Sequence, residues 1–250
     1  MIWTYWGNPI MSFLRYMTLH SLCALNDHVT LITNDAGRGG DWPEKQDMNH
    51  YTGPDYTSWL PNLKNLSIVH IADIAPDIHE LEAPEIHKSD LLAWHLMATR
   101  GGTVTDMDIV YVKPVPRIKA DMQLIRFGSG YIPVSFMQGR PNDIWAYLLE
   151  LAFFYYDAND YESCGNKVFD HVGTWPADTV WQQARLISPF RDLQWGRRHK
   201  MVFRGRRKLH PKTIGIHWHG GANLNHNNRI RHDNPEPTTI WEAIKVTYEG

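Results

Sequence analysis

Short apolar runs and one amphipathic stretch alternate over the first 34 residues. Residues 1–6 (MIWTYW) are aromatic and β-branched, which predicts a buried strand, and the following GNP is typical of a turn. Apolar residues recur near helical spacing over 10–25 and predict an amphipathic helix, and 28–33 (HVTLIT) predicts a second strand. This strand–helix–strand order is the βαβ unit of a parallel sheet. Its ligand crevice is expected at the carboxyl ends of the strands, near Trp6 and Asn34.

The rest of the chain continues this α/β pattern without an internal repeat. Residues 36–65 are rich in Gly, Pro, Asn and Asp and predict a long binding loop or lid. A polar segment at 223–239 is predicted to be mobile. Further strands are predicted at 66–71, 103–113, 121–130, 131–139 and 213–219, and helices at 84–100, 142–156 and 177–187.

Composition supports one globular domain over 1–250. A hydrophobic fraction of 43% and a charged fraction of 21% suit a chain that buries a core, which excludes disorder, collagen and coiled coil. No apolar window approaches the ~18 residues that a membrane helix needs, and no basic region precedes the first apolar residues. Two cysteines are too few for a disulfide scaffold, so we expect a cytoplasmic protein whose metal ligands, if any, are carboxylates and histidines.

Charge is unevenly distributed along the chain. The net formal charge is −2, but residues 197–208 carry seven basic residues and no acidic one, which leaves −9 on the remainder. Such a run attracts phosphate groups, either a pyrophosphate or a nucleic-acid backbone. A solvated loop or hairpin with surface ion pairs accounts for it equally well.

A pair of acids carries the most informative chemistry. Asp106 and Asp108 flank Met107 at the end of a predicted strand. Residues two apart on a strand point to the same face, so both carboxylates are expected to meet one divalent cation, and hard oxygen ligands suit Mg²⁺ or Mn²⁺. The alternative is a pair of ordinary acids in a turn or at the surface.

The segments around this pair resemble the signature of DXD-type sugar-nucleotide glycosyltransferases, the group of initiating mannosyltransferases, capsular polysaccharide enzymes and clostridial glucosylating toxins. The resemblance covers about the first 115 residues. The family usually has Arg followed by an aromatic residue after Leu92, and here Ala93 replaces that Arg and Trp94 follows it. The segments that carry it are Ile-Trp-Thr-Tyr-Trp-Gly-Asn-Pro at 2–9, Lys88-Ser89-Asp90-Leu91-Leu92, Gly101-Gly102 and Asp106-Met107-Asp108.

The resemblance implies a GT-A fold, with a Rossmann-like, mostly parallel sheet flanked by helices. It also implies a nucleotide-diphosphate-sugar donor, Mn²⁺ or Mg²⁺, and transfer of a hexosyl or pentosyl group with retention of configuration. Residues 1–115 would be the nucleotide-sugar-binding half, and 116–250 would be the acceptor half with a C-terminal metal and flap segment.

A late H-x-x-G element, His217 to Gly220, resembles the one with which related GT-A enzymes close the metal site. That resemblance implies His217 as a metal ligand. His219, two residues on and on the same face of the predicted strand, is the reserve candidate, or both line the site. Histidines that simply hydrogen-bond in a polar loop are the alternative, and a zinc site made of these histidines alone lacks a third ligand at suitable spacing.

Other roles are assigned on the same resemblance. Asp90, with Asp106 and Asp108, is a candidate catalytic residue that would bind sugar or ribose hydroxyls; the alternative is an acid favoured by the start of a helix. Trp3, Tyr5 or Trp6 would stack on the nucleobase or else belong to the core. The remaining donor-binding candidates are Lys88, Arg206 and Arg207, the last two as a pyrophosphate clamp.

Two other classes of function stay open at this point. One is a nucleic-acid-binding or nucleic-acid-modifying protein, including a glycosyltransferase that acts on modified bases in DNA. The other is a metal-dependent phosphohydrolase or nuclease, which would need a further acidic cluster that the sequence does not show. The acceptor is accordingly a glycan, a small molecule or DNA.

Overall fold

A computed structural model describes residues 1–34, 51–190, 201–220 and 226–248. The first half of the proposed lid at 36–65, and Arg197, Arg198 and Lys200 of the basic run, lie outside the described residues.

Seven strands form the main sheet in the described chain, in the order β3-β2-β1-β4-β7-β6-β8. Neighbouring strands are parallel except at β7, which runs antiparallel to both β4 and β6. Two further strands, β5 and β9, pair antiparallel as a separate ribbon. The strands are β1 Ile2–Trp6, β2 Val29–Thr33, β3 Leu66–His70, β4 Gly102–Thr105, β5 Ile109–Tyr111, β6 Met122–Arg126, β7 Phe136–Gly139, β8 Val180–Gln183 and β9 Gly215–His217.

Helices cover both faces of this sheet. Ile2 packs in one apolar cluster with the first helix, and Trp3, the next residue of β1, packs in a second cluster with the third and fourth helices. Since successive strand residues point to opposite faces, the two clusters lie on opposite sides of the sheet. The helices are α1 Phe13–Leu25, α2 Pro76–Glu80, α3 Glu85–Thr99, α4 Asp143–Phe154, α5 His226–Arg229 and α6 Thr239–Tyr248.

The structure confirms the predicted α/β class and mostly parallel sheet, and it corrects three local predictions. The strand predicted at 103–113 is two strands, β4 and β5, which belong to different sheets. The Asp106 amide still donates to the Ser135 carbonyl next to β7 (3.0 Å), and the chain then leaves the main sheet because β5 pairs with β9.

The other two corrections concern the C-terminal half. The helix predicted at 177–187 is strand β8 followed by a 3₁₀ turn, because its Val180 and Trp181 pair in parallel with β6. Within the polar segment at 223–239 the structure has the short helix α5, and α6, which follows it, was not predicted. In the described part of the chain, no helix is both long and apolar enough to cross a membrane.

Candidate metal and donor site

The two acids occupy the connection between β4 and β5, at the carboxyl edge of the sheet. Asp106 directly follows β4 and Asp108 directly precedes β5. One carboxylate oxygen from each, together with a ring nitrogen of His217, forms a group whose atoms all lie within 4.8 Å of one another. The two carboxylates therefore do lie close together, although not for the reason given above, and their binding of one cation stays a prediction. They meet across a turn and not along one face of a strand.

Antiparallel pairing brings His217 to this turn. Its Cα pairs with that of Ile109, the residue after Asp108, so the imidazole lies beside the carboxylate. His217 Nε2 is 2.9 Å from Asp108 Oδ1. The chain then wraps around Asp108: the Trp218 amide donates to its carbonyl and the Gly220 amide to its Oδ2, each at 2.9 Å.

His219 lies next to His217 without joining the three-residue group. Strand β9 ends at His217, and His219 has a positive φ of 52°, so the two do not share a strand face as predicted. Their rings nevertheless stack, with centroids 3.8 Å apart. A ligand role for His219 stays a prediction.

Burial and charge set the protonation of this group. Burial and repulsion from Asp108 raise the pKa of Asp106 to about 6. Burial also acts to raise the pKa of Asp108, but His217, by charge and hydrogen bond, and then Arg15 hold that pKa well below its usual range. For His217, burial lowers the pKa but the attraction of Asp108 outweighs it, and the net shift is upward. These shifts favour an ionised Asp108 in contact with His217, with the Asp106 carboxyl group beside them.

The donor set suits a divalent cation. Two carboxylates in such close proximity repel each other, and a cation between them removes that repulsion. Two carboxylate oxygens and one imidazole nitrogen form a ligand set that a divalent cation such as Mn²⁺ or Mg²⁺ accepts.

Asp90 lies on α3 and, with Asp106 and Tyr5, borders a small cleft with a free volume of about 10 Å³, roughly the space of one water molecule. It is 9% exposed, and within the described chain no hydrogen bond reaches its carboxylate. Burial, then repulsion from Asp106 and Glu162, raise the pKa of Asp90 well above its usual value. Its Oδ2 is only 2.3 Å from the position that a Cβ would take on Gly165, so the carboxylate packs directly on glycine backbone.

The aromatic residues of β1 have different surroundings. Trp3 is buried in the core and its Nε1 donates to the Gly101 carbonyl at 2.8 Å, which favours the core interpretation. The Tyr5 hydroxyl donates to Glu85 at the edge of the cleft. Trp6 is half-buried at the end of β1, with the Arg15 guanidinium 4.9 Å from its ring centroid.

Three basic candidates for donor binding are engaged elsewhere. Lys88 is fully buried and its Nζ donates to the His79 carbonyl at 2.9 Å. Arg206 Nε is 2.9 Å from a Glu242 carboxylate oxygen on α6. Arg207 lies 6.0 Å above the Phe190 ring. Their roles in donor binding stay predictions.

Arg15 and Gly165 are site residues that sequence reasoning missed. Arg15 is the only Lys, Arg, Asp or Glu of α1, and that was the available signal. Nothing in the sequence around Gly165 indicated that Asp90 would pack on it.

Comparison with known proteins gives structural neighbours but no sequence relatives. No protein-family model matches the chain, and no curated protein is similar to it in sequence. The glycosyltransferase GlyE of Streptococcus pneumoniae TIGR4 superposes with a TM-score of 0.52 at 11% identity, over 100% of this chain and 61% of GlyE. The fold is GT-A-like.

Two further structures are similar. The apo form of GlyE gives a TM-score of 0.51 at 9% identity, over 100% of this chain and 60% of that one. The PaToxG glycosyltransferase gives 0.49 at 14% identity, over 67% of this chain and 65% of that one. This chain therefore spans about three fifths of the length of GlyE.

Proposed function

We propose that this protein transfers a sugar from a nucleotide-diphosphate donor to an acceptor hydroxyl, with a divalent cation at Asp106, Asp108 and His217. The observation that carries the proposal is the convergence of these three side chains, within 4.8 Å, at the carboxyl edge of a GT-A-like sheet. In open α/β sheets, ligands bind at that edge.

The three residues would hold the cation, Mn²⁺ or Mg²⁺, through two carboxylate oxygens and Nε2 or Nδ1 of His217. When bound there, such a cation neutralises the charge that develops on the departing nucleoside diphosphate. The Gly220 amide, by donating to Asp108 Oδ2, fixes the orientation of that carboxylate. His217 is in turn held on β9 by its pairing with β5.

Asp90 and Tyr5 would contact the donor beside the cation site. The Asp90 carboxyl group has unused hydrogen-bonding capacity among the described residues, which suits it to sugar hydroxyls. Trp6 would stack on the nucleobase, because it is half-buried at the crevice whereas Trp3 belongs to the core. We propose hexosyl or pentosyl transfer with retention, as the sequence resemblance implies.

We further propose a glycan or small-molecule acceptor and a cytoplasmic location. Both cysteines are free and buried, as expected in a reducing compartment. Arg206 of the basic run is paired with Glu242, which weakens the argument that this run binds a nucleic-acid backbone. DNA binding that falls steeply with salt would instead promote a nucleic-acid acceptor.

A thermal-shift screen of nucleotide sugars, with and without Mn²⁺, tests the function. A donor at 100 times its Kd stabilises the folded state by about 2.7 kcal/mol, which for a chain of this size corresponds to a Tm increase of roughly 5–11 °C. We expect this increase for one nucleotide class, only with Mn²⁺, and not in Asp108→Asn. Release of nucleoside diphosphate with that donor then checks turnover. If no nucleotide sugar shifts the Tm or is turned over, the proposal is wrong.

A further inference from the structure

Helix α1 carries a buried polar stripe. Ser12 at its N-cap, Arg15, Thr18 and Ser21 recur every third residue, so each lies beside the next on the helix surface and the four form a continuous stripe. All four are buried, although α1 is otherwise packed with apolar side chains. Buried polar groups cost free energy unless they are hydrogen-bonded, so the stripe needs polar partners opposite it.

Those partners lie on the ribbon of β5 and β9. The Ser21 hydroxyl accepts a hydrogen bond from the Tyr111 amide of β5 at 2.9 Å. The Thr18 hydroxyl accepts one from Nε1 of Trp218, the residue after β9, at 3.3 Å. These hydrogen bonds therefore hold the β5–β9 ribbon against α1. The end of this ribbon carries two of the three candidate metal ligands, Asp108 and His217.

Arg15 makes the contact nearest to those ligands. Its guanidinium lies between two indoles, 4.9 Å from the Trp6 ring centroid and 4.7 Å from that of Trp218. The side chain as a whole is 8% exposed. An arginine Nη atom is 2.3 Å from where a Cβ would stand on Gly220, so it packs against the backbone whose amide donates to Asp108.

We propose that Arg15 is a positioning residue for the metal site: by packing between Trp6 and Trp218 and against Gly220, it fixes the segment that orients Asp108 and His217. The inference rests on the proposed function, because it concerns the same cation site. A planar guanidinium offers two faces to two indoles, which a lysine ammonium does not.

The position of Arg15 and its positive charge are expected to change the Mn²⁺ affinity in opposite directions, so Arg15 variants can distinguish the two contributions. The positive charge of Arg15 acts on both Asp106 and Asp108, and by itself it opposes the binding of a cation to them. If charge were its whole contribution, Arg15→Met would bind Mn²⁺ more tightly and Arg15→Lys would bind it unchanged. If Arg15 positions the ligands, Arg15→Lys weakens binding although the charge is kept.

The experiment measures Mn²⁺ affinity directly, by electron paramagnetic resonance of free Mn²⁺, with no donor and no turnover. We expect Arg15→Lys to weaken Mn²⁺ binding by about 10- to 100-fold, the usual effect of removing an outer support of a metal ligand. Gly220→Ala keeps every site side chain but displaces the guanidinium, and it is expected to weaken binding in the same direction. The folded state of each variant is checked by its unfolding transition.

Two matched controls follow from the structure. Arg126→Lys removes another arginine–indole contact, 5.0 Å above Trp181 near the sheet edge. Gly128→Ala adds a Cβ where nothing lies within 4 Å. Both are expected to bind Mn²⁺ as the wild type does.

Each remaining outcome decides the question. Wild-type Mn²⁺ affinity in folded Arg15→Lys and Gly220→Ala, with or without a lower Tm, overturns the inference. So does tighter binding in Arg15→Met together with no change in Arg15→Lys. Absence of Mn²⁺ binding in the wild type overturns the metal site and this inference together. If the wild type binds Mn²⁺ and the variants lose it but no sugar is transferred, the proposed function fails and the role of Arg15 stands.

Discussion

A methyl group added at Gly165 tests whether Asp90 belongs to the donor site. In Gly165→Ala the new Cβ would stand 2.3 Å from Asp90 Oδ2 and 3.0 Å from its Cγ. Ordinary van der Waals contact begins at about 3.4 Å, so the carboxylate has to move by roughly 1 Å. The substitution thus displaces the Asp90 carboxylate without altering any functional group.

The expected effect is large on activity and modest on stability. A misplacement of about 1 Å in a positioned group can cost on the order of 100-fold in rate. Extra bulk in a packed site costs roughly 1–3 kcal/mol of unfolding free energy, which leaves the protein folded. We therefore expect kcat/KM for nucleoside diphosphate release to fall about 100-fold, with a measurable but smaller decrease in Tm. Asp90→Asn should lose a comparable factor, and the double variant should lose little more, because both changes act on one carboxylate.

Gly173→Ala is the matched control, because nothing lies within 4 Å of its added Cβ. It should keep wild-type kcat/KM. Turnover in Gly165→Ala close to that of the wild type would refute the placement of Asp90 at the reacting donor. Losses in Gly165→Ala and Asp90→Asn that multiply fully in the double variant would show that the two changes act on different steps.

Three further predictions concern individual side chains. Asp108→Asn should abolish Mn²⁺ binding and sugar transfer while the protein still unfolds cooperatively; retained turnover would make this residue an ordinary turn acid. His217→Ala should weaken Mn²⁺ binding more than His219→Ala, because His217 belongs to the group within 4.8 Å; equal affinities in a Mn²⁺ titration would contradict this. Since the pKa of Asp90 is raised in the folded protein, ionising this residue lowers the free energy of unfolding, which should therefore decrease as the pH rises above 3.8. In urea unfolding without metal, Asp90→Asn should make this decrease smaller. Parallel pH profiles would contradict the last expectation.

Much of the fold could be predicted from periodicity. The strand–helix–strand pattern over 2–33 predicts parallel pairing, and β1 and β2 do pair in parallel register from Ile2↔Val29 onward. Periodicity did not predict which sheet a strand joins. An apolar run such as 103–113 looks like one strand because each half is β-branched, and nothing local shows that its second half pairs with a strand about 100 residues later in the chain.

The meeting of Asp106 and Asp108 was predicted for a reason that does not hold. Alternation on a strand would place both carboxylates on one face, but they lie in a turn. The turn brings them together because its two ends are anchored in different sheets, β4 in the main sheet and β5 in the ribbon. The H-x-x-G resemblance selected His217, but its position depends on the antiparallel register of β5 and β9, which spacing along the chain cannot reveal.

Charge density along the sequence drew attention to 197–208, yet the basic residue beside the carboxylates is Arg15, the only Lys or Arg of α1. The difference follows from burial. The Arg206 side chain is 66% exposed, and two unit charges 4 Å apart in water interact by only about 1 kcal/mol. Arg15 is almost fully buried, so water screens its charge far less than that of Arg206. A run of basic residues indicates a surface that attracts phosphates, whereas a single arginine on the buried side of a helix needs a buried partner, and here that partner is the segment around Asp108.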